Sequence, residues 1–135
     1  MDKSYIEKRV NEWIMKVEQI YAFVRKALQN EPEIECKIDN STMMYEGVMK
    51  KYEVPPKNIP IFDLYIGKQL VATFKPIGLW VIGAKGRIDI LTKKGAYLLV
   101  DMSEDETTPQ WKVFAPTNRK NSELFNEEFI RKLVH

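Results

Sequence analysis

Lys85, Arg87 and Asp89 occupy every second position of the stretch KGRID, and Asp101 closes the next apolar run, AYLLVD. Alternate residues of an extended chain share one face, so these charged groups can stand side by side on two neighbouring strands. Two carboxylates so placed are what a divalent cation needs in order to bind and activate water. A face of mixed cations and anions is equally suited to docking on a complementary surface. The other reactive residue types offer less. Cys36 is the single cysteine and His135, the last residue, the single histidine. A nucleophilic thiolate needs an activating imidazole or a cationic pocket, so Cys36 reads as a packing residue. The acidic run SEDE, Ser103 to Glu106, lacks the glycine and ligand spacing of a calcium loop and reads as a solvated turn. No phosphate-binding glycine loop, zinc-ligand spacing or dinucleotide fingerprint is present.

The elements that must position these residues follow from periodicity. Ile6, Val10, Trp13, Val17, Ile20, Val24 and Ala27 alternate steps of four and three in a segment free of Gly and Pro from Lys3 to Gln29. That spacing predicts a long amphipathic helix, widened by Ile14, Tyr21 and Leu28, capped by Asp2 or Ser4 and stopped before Pro32. EIECKID alternates with period two and predicts a strand with Cys36 on the dry face. Residues 41–51 read either as a short helix or as a returning strand, with Met43, Met44 and Met49 as core filler. VPPKNIP is a stiff connector, and Gly67-Lys68 closes a hairpin between IFDLYI and LVATFK. QWKVFA is a further strand. Asn126 caps a C-terminal helix whose apolar face is Phe129, Ile130 and Leu133. The expected fold is α+β in one domain over 1–135. A long N-terminal helix packs on an antiparallel β-meander of five or six strands, with a short C-terminal helix beside it.

The register of the central stretch decides where the charges fall. From Leu79 to Leu91 the even positions Trp80, Ile82, Ala84, Gly86, Ile88 and Ile90 are free of polar residues, and the odd positions hold Lys85, Arg87 and Asp89. This favours one continuous strand over a tight turn at Gly83–Gly86. Ala84 and Gly86 are small enough for a crossing helix to come close. A three-residue loop at Lys93-Lys94-Gly95 sets Arg87 opposite Asp101. A two-residue loop would bury Asp101, at a larger desolvation cost, so the longer loop is expected.

GRIDILTKKGAYLLVD resembles the catalytic hairpin of the PD-(D/E)xK nuclease superfamily. The resemblance implies Asp89 and Asp101 as ligands of a divalent metal that activates water, with Arg87 beside them. The lysine of that motif is replaced by Ser103.

Composition narrows the remaining classes. The chain has 135 residues, 44% hydrophobic and 30% charged, with 21 basic against 19 acidic side chains, which excludes disordered and collagen-like classes. A net charge of +2 argues against nucleic acid as the main partner. No apolar stretch reaches the length of a membrane span, no secretory signal is visible and a lone cysteine fits a reducing compartment. A small cytoplasmic protein of bacterial antitoxin, immunity or accessory type is therefore expected. It would bind another protein without catalysis or a cofactor, through Lys85, Arg87, Asp89, Lys93 and Asp101. The metal-dependent nuclease built on Asp89 and Asp101 is the alternative.

Overall fold

The computed structural model describes residues 2–81, 83–104 and 108–135. In chain order the elements are α1 (Lys3–Ala27), β1 (Ile34–Met44), α2 (Gly47–Lys51), β2 (Lys57–Ile66), β3 (Gln69–Gly78), β4 (Arg87–Thr92), β5 (Gly95–Asp101), β6 (Trp111–Ala115), β7 (Asn118–Leu124) and α3 (Glu127–Val134). The strands form one seven-stranded sheet in sequential order, and every neighbouring pair is antiparallel. The expected α+β architecture is present, with seven strands instead of five or six. The additional strand is β7, whose sequence NRKNSEL has no apolar alternation. An edge strand can be held by main-chain pairing alone, and its charged side chains guard the open edge.

The helices form as their caps and stripes require. Asp2 accepts the Tyr5 N–H at 2.9 Å, and Ile6, Val10, Trp13, Val17, Ile20, Tyr21 and Val24 of α1 are buried. The Asn126 side chain accepts the Phe129 N–H at 2.9 Å, and α3 buries Phe129, Ile130 and Val134. Phe125 links the two helices, with ring centroids 5.5 Å from Phe23 and 6.0 Å from Phe129. Both helices therefore cover the same side of the sheet. That side is built from aligned rows, among them Phe62–Phe74–Ile90–Tyr97 and Pro76–Ile88–Leu99–Val113. Tyr21 stacks on Phe62 at 4.7 Å and donates its hydroxyl to the Pro60 carbonyl at 2.6 Å. Burial first, and then the Asp63 carboxylate, push its phenol pKa up, so the hydroxyl remains a donor. No helix among the described residues is long and apolar enough to cross a membrane.

One open reading is resolved and three local expectations are corrected. Residues 41–51 divide between both readings, since Ser41–Met44 prolong β1 and Gly47–Lys51 form the short α2. Met44 and Met49 are buried as core filler, but Met43 is 63% exposed on the wet face. Pro60 lies within β2 rather than in a connector, in the part that pairs with β1 alone, where a missing N–H is tolerated.

The third correction concerns the stretch from Leu79 to Leu91, which is not one strand. The chain leaves the sheet after Gly78, and β4 begins only at Arg87, with an isolated bridge between Val81 and Ala84. Gly83, at φ +81°, supplies the left-handed turn. The exit from β3 is fixed by Glu46, whose carboxylate accepts the N–H groups of Leu79 at 3.1 Å and Trp80 at 3.2 Å. Those donors are then lost to any continuing ladder. Ile82, and Asp105 and Glu106 of the acidic run, lie outside the described residues.

Candidate functional site: the bare face of the sheet

With α1 and α3 on one side, no helix or strand among the described residues covers the other side of the sheet. Cross-strand registers align its side chains in three rows. The first is Lys37–Asp63–Thr73–Leu91–Ala96, the second Lys75–Asp89–Leu98–Phe114 and the third Gly78–Arg87–Val100–Lys112–Leu124. Arg87 and Asp89, two apart on β4, meet on this face through two parallel bonds. The Arg87 Nε lies 2.7 Å from Asp89 Oδ1, and the terminal Nη2 lies 3.0 Å from Oδ2. The bond to Asp89 holds the guanidinium further towards its charged form. This geometry gives a rigid dipole on the surface.

Of the five charged residues expected to share a site, only Arg87 and Asp89 are brought together. Lys85 sits in the irregular stretch before β4, half-buried, with its N–H bonded to the Asp101 carbonyl at 2.8 Å. Lys93 is exposed at the tip of the β4–β5 turn, at the other end of β4 from Arg87. Asp101 is on the opposite side of the sheet altogether. Thr92 pairs with Gly95, so the turn has two residues, Lys93 and Lys94, and Arg87 faces Val100 instead of Asp101. A one-residue slip moves every side chain of a strand to the other face.

The desolvation argument for a three-residue loop fails because Asp101 has a partner on α1. Its carboxylate is fully buried, and Lys16 Nζ lies 2.7 Å from Oδ2. Oδ1 accepts the N–H groups of Ser103 and Gln110, each at 3.0 Å. The main chain of Asp101 also bonds Gly86 and Lys85. Asp101 is therefore a clasp that ties α1, the entry to β4 and the segment after β5. Metal ligation by Asp89 and Asp101 together has no geometric basis, because the register directs the two carboxylates to opposite faces.

The clasp has a pH signature. Burial by itself would raise the Asp101 pKa, but the bonds from Lys16, Gln110 and Ser103 outweigh it and hold the carboxyl below its ordinary range. Between the folded and the unfolded pKa, the unfolded chain binds more protons than the native one. Stability from this group is thus present above the usual Asp pKa of about 3.9 and is lost as pH falls through the lower folded value. Urea midpoints measured from about pH 5 to pH 2 should fall for the wild type. The Asp101→Asn variant should show a shallower fall over the same window.

The bare face also holds a groove that pattern reading did not anticipate. Val81, Gly83, Ala84, Arg87, Leu98, Val100, Met102, Phe114 and Arg119 line this open groove of about 530 Å³. Leu98, Val100 and Phe114 form its apolar floor. Arg119, from β7, reaches back over the β6 end and donates to the Phe114 carbonyl at 3.0 Å and the Ala96 carbonyl at 2.8 Å. One signal was present in the sequence. The run Ala96–Val100 is apolar at consecutive positions, which marks a strand with apolar residues on both faces.

Cys36 and His135, the single cysteine and the single histidine, do not line this groove. Cys36 shares a row with Leu64 and Ala72 and packs against the core. Burial raises its thiol pKa against the opposing effect of Arg25, so the thiol is the favoured form, as a packing role requires. His135 lies against the Glu31 carboxylate, and Glu33 completes a solvent-facing group whose ligand atoms all fall within 4.8 Å of one another. No family model matches the chain, and no curated protein or solved structure is significantly similar to it.

Proposed function

We propose that this is a non-enzymatic binding protein that docks another protein on the bare face of its sheet. The observation that carries the reading is the asymmetry of the two sides. Helices α1 and α3 pack on one, while the other presents Lys75, the Arg87–Asp89 pair and Lys112 around an apolar floor. Placed charges select and orient a partner, and the apolar centre supplies affinity. The action is occlusion, as in immunity-type or accessory inhibitors, by analogy of size and class.

The test is capture from nuclease-treated native lysate by the full chain and by three variants. Lys75→Glu and Leu98→Asp alter the bare face, and Lys8→Glu alters the exposed side of α1. A single protein retained by the wild type and Lys8→Glu, and bound at least about tenfold more weakly by both face variants, is the expected result. A partner insensitive to both face variants, or one lost on nuclease treatment, would overturn the reading.

A further inference from the structure

We infer that the groove along β5 holds an extended segment of the partner, about six residues long, with bulky apolar side chains on its floor and a carboxylate at the Arg119 end. The inference rests on the binding reading above and specifies the chemistry of what is bound.

The length follows from the strand. Met102, Val100 and Leu98 lie at alternate positions of β5 and the residue after it, and Arg119 anchors on the carbonyl of Ala96. Six residues at about 3.3 Å each give a groove of roughly 20 Å. That is long and open, a shape matched by an extended chain. A compact ligand is better served by a site that encloses most of its surface.

The polarity follows from what each arginine has left to donate. A guanidinium has five N–H donors. Arg87 directs Nε and one terminal nitrogen at Asp89, and its charge is matched by that carboxylate. Arg119 bonds only carbonyl oxygens, so among the described residues no carboxylate balances it. Its two backbone bonds also fix the orientation of the plane. A carboxylate arriving there meets donors already oriented and loses little side-chain freedom in the process. An arginine with no carboxylate partner among the described residues, beside an apolar floor, fits an acidic–apolar peptide. A phosphate backbone would leave the apolar floor without a counterpart.

The probes are fluorescein-labelled hexapeptides, Glu-Phe-Ser-Leu-Ser-Phe and its reverse, with counterparts in which Lys replaces Glu or Ser replaces every apolar residue. Anisotropy gives affinity, and amide chemical-shift changes in the full-length protein locate the site. One acidic–apolar peptide should bind roughly tenfold more tightly than its lysine counterpart. The all-serine version should not bind, and shifts should centre on Leu98, Val100, Phe114 and Arg119. Phe114→Asp should abolish binding. Arg119→Glu, at an exposed position, should leave the fold intact and reverse the preference towards the lysine peptide.

Equal binding of acidic and lysine peptides, shifts away from the groove, or no saturation by about 1 mM would overturn the inference. The two readings separate cleanly. A lysate partner lost with Lys75→Glu but kept by Arg119→Glu leaves the bare face as the docking side and removes the groove as its centre. Peptides that bind as expected, beside a lysate partner indifferent to the face, sustain the groove chemistry and overturn the proposed function.

Discussion

Lys16→Met should destabilise the protein by about 3–5 kcal/mol, the cost of leaving a buried carboxylate without its counter-charge. Asp101 has no exposed surface and Lys16 only 14% of its side chain, so water cannot replace the missing ammonium. Removing the partner also takes away one of the bonds that hold the Asp101 pKa low, so burial then acts against only the bonds from Ser103 and Gln110. The carboxyl should take up a proton more readily than in the wild type, which relieves part of the cost at acid pH. Asp101→Asn should be milder, since its amide oxygen can still accept from Ser103 and Gln110. The double variant Lys16→Met with Asp101→Asn should recover most of the loss of Lys16→Met, because no buried charge remains unpaired. Urea unfolding of the four proteins measures this directly. A Lys16→Met midpoint equal to that of the wild type would mean that the clasp contributes nothing.

The same clasp shows which parts of the structure were legible in the sequence. Features encoded within a few residues were recovered. The α1 stripe repeats at helical spacing from Ile6 to Val24, the Gly67 turn joins two alternating runs, and Asn126 caps α3. Ile88 and Ile90 were rightly assigned to the core side. What failed depended on partners far away in the chain. Lys16 and Asp101 are 85 residues apart, so the desolvation cost of the two-residue turn could not be seen to be offset. That single omission displaced Asp101 from one face to the other and assembled a charged site of which only Arg87 and Asp89 are real neighbours. The groove was missed for a related reason. Its floor takes alternate residues of β5 and one of β6, and its end an arginine of β7, a strand that carries no hydrophobic signal of its own.

Gly86→Ala should be among the most damaging substitutions in the molecule, with a cost of at least about 3 kcal/mol or failure to fold. A Cβ there would lie 2.2 Å from Trp13 Cζ3 and 2.8 Å from two further ring atoms. The backbone adds strain, because φ is +133°, a conformation that L side chains rarely adopt. Neither the ring nor the chain has room to yield. Trp13 is 1% exposed, with its ring 6.3 Å from that of Trp111, and Gly86 is bonded to the Asp101 N–H at 3.1 Å. Trp13 is present for its bulk, since its indole N–H has no acceptor among the described residues. Gly83→Ala provides the comparison that separates strain from collision. Its φ is +81°, but nothing lies within 4 Å of the added carbon, so the cost should be only the left-handed penalty of about 1–2 kcal/mol. Thermal unfolding, followed by the fluorescence of Trp13 and its tryptophan neighbours, should place the two variants well apart. Equal losses would show that the helix does not need this close approach. A much larger loss at Gly86 would identify the close approach of Trp13 as the reason for glycine at the entry to β4, just ahead of Arg87, the strand's first residue on the bare face.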